Sequence, residues 1–163
     1  MPEIDPEQID FFAIARSDEV ELMEALLEQG VDPNMRDESG YTLLMLAAYN
    51  GQNEMTELLL SYDADTEIPG GRGNTPLMGV SFKGYPQIVK TLLDGGADVN
   101  GRGTNGNTAL MTAAMFGHEE IVDILLKAGA DPAISNEGGQ TALDLARMNG
   151  ADNVAAKLAS LQE

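Results

Sequence analysis

Residues 106–131 read GNTALMTAAMFGHEEIVDILLKAGAD, and much of the chain repeats that text. A step of 33 residues carries Thr108 back to Thr75 and Thr42 and forward to Thr141, with no insertion or deletion. The same step joins Gly51, Gly84, Gly117 and Gly150; it also joins Leu26, Leu59, Leu92, Leu125 and Leu158, and Asp32, Asp65, Asp98 and Asp131. An interval of this size marks supersecondary units stacked in a row, each too small to bury its own apolar face.

The residues of one unit dictate its shape. The threonine offers its hydroxyl to the free amides of a helix start, and Pro76 suits the first turn that follows. This first helix is short, about two turns long. It runs through small residues such as Ala47-Ala48 and Ala113-Ala114, and it stops at the glycine of Gly51, Gly84 or Gly117. A second helix carries Ile88, Val89, Leu92 and Leu93, repeated as Ile121, Val122, Leu125 and Leu126, at helical spacing. Gly96 or Gly129 ends it, and a polar, glycine-containing finger leads to the next unit.

The stretches Gly73-Asn74-Thr75-Pro76-Leu77-Met78 and Gly95-Gly96-Ala97-Asp98-Val99-Asn100, with Gly117-His118 between two helices, resemble the ankyrin repeat. The resemblance covers nearly the whole chain and implies an all-α solenoid of five helix-turn-helix units with hairpin-like fingers. The wording around Thr42 and Ala47 is similar to small stand-alone ankyrin proteins of bacteria. One departure is systematic. Where the family usually places histidine after its Thr-Pro-Leu, this chain has Met45, Met78, Met111 and Asp144. The inter-repeat hydrogen bonds of that histidine are therefore expected to be replaced, with sulfur packing in their place.

A single domain, residues 1–163, is expected, with units at about 9–38, 39–72, 73–105, 106–137 and 138–163. Residues 1–8 read as a fraying lead-in. Ile9 stands in the threonine column, so the first unit reads as an N-terminal cap, with Phe11 and Phe12 packing beneath it. Lys157, Ser160, Gln162 and Glu163 make the outer side of the last unit polar, as a C-terminal cap requires. With both caps in place, the chain is expected to be a finished protein. In the second unit Asp63 replaces the helix-ending glycine, which requires a left-handed aspartate. The finger Glu67–Gly73 lacks the usual turn chemistry and is expected to be the most mobile.

Nine lysines and arginines against 27 aspartates and glutamates give a formal charge of −18. That balance argues against nucleic acid and anionic membranes as partners, because both require phosphates to be neutralised. There is no cysteine, no basic-then-apolar N-terminal segment and no apolar run of membrane-spanning length. A cytoplasmic monomer is expected.

The motifs that suggest chemistry have structural explanations. Gly101, Gly103 and Gly106 spell a dinucleotide fingerprint, yet the repeat register accounts for them without a ligand, and no long strand precedes them. His118-Glu119-Glu120-Ile121-Val122 lacks the second histidine of a zinc helix, so His118 reads as cement between two helices. The run Asp63–Ile68 has isoleucine where a calcium loop needs glycine. Ser81 falls in the column of Ala48 and Ala114 and reads as a small packing residue. No catalytic constellation, cofactor site or metal site is expected, and the chain reads as a non-enzyme.

What remains is a surface sorted by column. The resemblance implies an interaction face made of finger tips and the exposed ends of the first helices. The matching residues are Arg36, Glu38, Tyr41, Tyr49 and Asn50; Arg72, Asn74, Phe82 and Lys83; Arg102, Asn105, Asn107, Met115 and Phe116; and Met148. Within it, Tyr49, Phe82, Met115 and Met148 share one column and are expected to form an apolar ladder about 30 Å long. Arg36, Arg72, Lys83 and Arg102 offset the acids there, so a groove of near-neutral charge is expected on an acidic body. The function that follows is binding of a partner protein in groove and fingers, as adapter, assembly helper or inhibitor. The alternative is a small-molecule or haem carrier that uses the ladder.

Overall fold

The computed structural model describes residues 8–163, so all but the last residue of the expected lead-in, residues 1–7, lies outside them. Ten α-helices occur among the described residues, in two rows. The inner row is α1 (Phe11–Arg16), α3 (Leu43–Tyr49), α5 (Pro76–Lys83), α7 (Ala109–Met115) and α9 (Ala142–Met148). The outer row is α2 (Val20–Glu28), α4 (Asn53–Ser61), α6 (Pro86–Asp94), α8 (Glu119–Lys127) and α10 (Asp152–Ser160). Each inner helix packs on its outer partner and on the inner helices before and after it, and the outer helices stack likewise. The result is the all-α solenoid that the 33-residue register implies.

Column residues start the inner helices. Oγ1 of Thr42, Thr75 and Thr108 accepts the backbone N–H of Met45, Met78 and Met111, and that of Thr141 accepts from Asp144. Ile9 cannot do this, and Asp10 takes the task one residue later, accepting from Phe12 and Ala13. Phe11 and Phe12 pack, half-buried, against the core. The core itself is continuous: Leu59, Leu92, Leu125 and Leu158 of the outer row and Ala48, Ser81, Ala114 and Ala146 of the inner row are all buried. Small residues on the inner helices let the rows approach closely. Ser81 donates to the Leu77 carbonyl at 2.7 Å, which satisfies its buried hydroxyl within the helix.

The aspartate column is a turn device. Oδ1 of Asp32, Asp65, Asp98 and Asp131 accepts the N–H two residues on, at Asn34, Glu67, Asn100 and Ala133. The next column then links repeats. Asn34 accepts from the Asp65 amide, Glu67 from Asp98 and Asn100 from Asp131, each at 2.8 Å. The series ends at Ala133, after which no further turn of this kind follows. In the run Asp63–Ile68 the carboxylates of Asp65 and Glu67 are thus committed to backbone amides, and Asp63 holds φ 60°, in the left-handed region.

The finger turns are closed alike by backbone bonds, from Asp37, Gly70, Gly103 and Asn136 to the carbonyl four residues on. Their side chains differ. Asp37 Oδ1 also accepts from Ser39 and Tyr41, and Asn136 Oδ1 from Gly138 and Gln140. Gly70 and Gly103 have nothing to offer, and the space goes to the methionine that replaces the family's histidine. A Cβ on Gly70 would collide with the sulfur of Met45 and with Tyr41, and one on Gly103 would stand 2.7 Å from the Met78 sulfur. In the same column, Asp144 closes a capping box with Thr141, whose backbone N–H and hydroxyl hold its carboxyl below the usual carboxylate range. The amides of Arg72 and Asn74 should therefore exchange about tenfold faster than those of Ser39 and Tyr41. Equal protection in hydrogen exchange would contradict this.

Candidate functional site

The C-terminal ends of the inner helices and the fingers enclose a groove of about 620 Å³ that opens along α3, α5 and α7. Nine of the residues singled out by column line it: Tyr41, Tyr49, Asn50, Arg72, Asn74, Phe82, Asn107, Met115 and Phe116. Arg36, Glu38, Lys83, Arg102, Asn105 and Met148 do not. Arg36 pairs with Thr42 across the base of a finger, and the Arg102 guanidinium donates to the Ser135 carbonyl at 3.1 Å, tying one finger to the next. Asn105 takes a left-handed turn position, φ 64°, in a single 3-10 turn over residues 104–106. Met148 is exposed beyond the groove, with the Gln140 amide 3.1 Å from its sulfur.

An aromatic ladder exists, but its third rung is not the one the column names. Tyr49 and Phe82 lie nearly parallel, with centroids 6.5 Å apart, and Phe116 meets Phe82 edge-on at 4.8 Å. Met115, the column's own rung, is half-buried against the core and still lines the groove beside Phe116. The reason lies in helix length. Position 83 is still helical in α5, whereas α7 ends at Met115, so Phe116 leaves the helix and its ring turns toward Phe82. Tyr49, Phe82 and Phe116 remain 41%, 42% and 49% exposed. Such pairs favour offset or edge-to-face geometry, and here the rings stiffen a surface that stays in water.

The turn after each inner helix buttresses this wall. His118 Nε2 lies 3.1 Å from the Phe82 carbonyl oxygen, its ring covers Gly84 and it stacks toward Phe116 at 6.5 Å. Gln52, in the same column, donates to the Arg16 carbonyl, and the Tyr85 ring covers Gly51. His118 is thus the expected cement, set between repeats. Lys83 Nζ rests 4.9 Å from the Tyr49 ring centroid and 6.0 Å from that of Tyr85.

Several lining residues escaped the column reading: Arg16, Met45, Leu46, Met78, Gly79 and Thr112. Arg16 lies 33 residues before Tyr49, so the register itself pointed to it. Gly101, Gly103 and Gly106 serve finger stacking: a Cβ on Gly106 would approach the Glu137 amide at 3.3 Å, and the Thr104 hydroxyl donates to the Arg72 carbonyl.

The comparisons agree with this architecture. The model of ankyrin repeats in three copies matches residues 11–103 and again residues 80–163. A Pseudomonas aeruginosa protein named for its ankyrin repeats is 44% identical over 54 residues, which make up 31% of this chain and 32% of that protein. With its 33-residue register, paired helix rows and stacked fingers, all within the stretches matched, the chain belongs to the ankyrin repeat family.

Proposed function

We propose that this chain is a binding module that holds a segment of another protein in its groove and against its fingers, with no chemistry of its own. Ankyrin repeats are in general protein-interaction modules, usually scaffolds and not enzymes. The observation that carries the reading is the exposed ladder of Tyr49, Phe82 and Phe116 on one rigid face. Core packing does not need these rings, and aromatic side chains commonly dominate binding energy at protein interfaces. Adapter, assembly helper and inhibitor are all uses of one such surface. A cytoplasmic monomer fits the reading; no helix among the described residues is long and apolar enough to cross a membrane.

Affinity capture with the wild-type chain beside a Tyr49→Ala/Phe82→Ala/Phe116→Ala variant tests it. The variant should lose the proteins that the wild type retains while melting at a similar temperature, because none of the three rings is buried. Recovery of the same proteins by both would place the contact elsewhere. Light scattering at several concentrations checks the monomer.

A further inference from the structure

The groove has a gap at its centre. The column Leu46, Gly79, Thr112 and Leu145 lies at the middle of successive inner helices, and only α5 is emptied there. Glycine weakens a helix interior, yet no packing in this fold requires it. A Cβ at Gly79 would meet only the edge of Tyr49, at 3.4 Å, which is ordinary contact. The glycine therefore leaves a hollow between Tyr49, Phe82, Met78 and Met115, where an incoming side chain can reach the backbone of α5.

The second observation is electrostatic. The chain carries 27 aspartates and glutamates, and among the described residues none of them lines this groove. Two arginines do. Arg16 is neutralised by Asp37 at 3.5 Å, but Arg72 on the finger edge has no carboxylate partner among the described residues, and neither has Lys83, which stands outside the lining with its Nζ 4.9 Å from the Tyr49 ring. The near-neutral groove expected from the sequence is thus locally positive within an acidic body.

Building on the protein-binding reading above, we propose that the groove recognises a partner segment in which one large apolar side chain is flanked by carboxylates. The apolar side chain seats over Gly79, and the carboxylates meet Arg72 and Lys83. Like charge on the surrounding body opposes capture of long acidic chains, so the acid must be local to the anchor.

Selection of displayed random peptides on the intact protein tests this, at an ionic strength where the Debye length is about 8 Å and the long-range repulsion is screened. Peptides enriched on the wild type should carry aspartate or glutamate on both sides of a leucine, phenylalanine or similar residue. Gly79→Leu, which copies Leu46 and Leu145 and should melt like the wild type, should bind them about tenfold or more weakly. Arg72→Glu/Lys83→Glu should turn the preference to lysine- or arginine-flanked peptides. Enriched peptides that need Tyr49, Phe82 and Phe116 but carry basic or neutral flanks would sink this inference and leave the groove reading standing. Peptides indifferent to those three rings, or no enrichment at all, would remove both.

Discussion

Gly71→Ala should lower the stability of the chain by about 2–3 kcal/mol, although it adds one methyl group to an exposed finger. The new Cβ would fall within the van der Waals sphere of the Ser39 carbonyl oxygen. That oxygen cannot retreat cheaply. It belongs to the turn from Asp37 to Tyr41, pinned by the Asp37 carboxylate, which accepts from the Ser39 and Tyr41 amides, and by the backbone bond from the Asp37 N–H to the Tyr41 carbonyl. The fingers of the second and third units must therefore part, and the Met45 sulfur packed against Gly70 loses its seat. Gly79→Ala should act in the opposite direction. It restores helix propensity in α5 without a clash and should add about 0.5–1 kcal/mol. Urea unfolding followed by helical circular dichroism separates the two. A Gly71→Ala midpoint equal to wild type would mean that the fingers do not press on one another as described.

These two glycines also mark how far the sequence could be read. Repetition at 33 residues was enough for the helix pairs, the threonine caps, the buried leucine seam and the ladder's first two rungs, because each depends on local chemistry that recurs with the register. The left-handed Asp63 was legible for the same reason. Contacts between units were not. The column Asn34, Glu67, Asn100 looks like solvated polar surface until the stacking distance brings the next unit's amide to each oxygen. Phe116 displaced Met115 as the third rung because α7 ends one residue before α5 does in register, a difference that column counting treats as zero. The absence of carboxylates from the groove among the described residues is likewise a property of the assembled face, since Asp37 and Glu38 stand near it in sequence but do not line it.

Leu92→Ala and Leu158→Ala remove equally buried side chains, each at a local cost of about 2–5 kcal/mol, yet they should unfold the protein differently. Each unit touches only its neighbours, so stability is a sum of unit and interface contributions along the array. Leu158 sits in α10, which packs on α9 and α8. Its loss should free the last pair alone, giving an early transition that carries the helical signal of α9 and α10, while the groove over α3, α5 and α7 stays formed. Leu92 sits in α6, between α4 and α8 and against α5. Its loss should weaken both interfaces of the middle unit at once, and with it the wall that holds Phe82 between Tyr49 and Phe116. The Leu92→Ala variant should therefore lose partner binding at the temperature where its main transition begins, whereas Leu158→Ala should still bind after its first transition is complete. One cooperative transition of equal midpoint in both variants would mean that the array melts as a single body, and the nearest-neighbour account of its stability would fail.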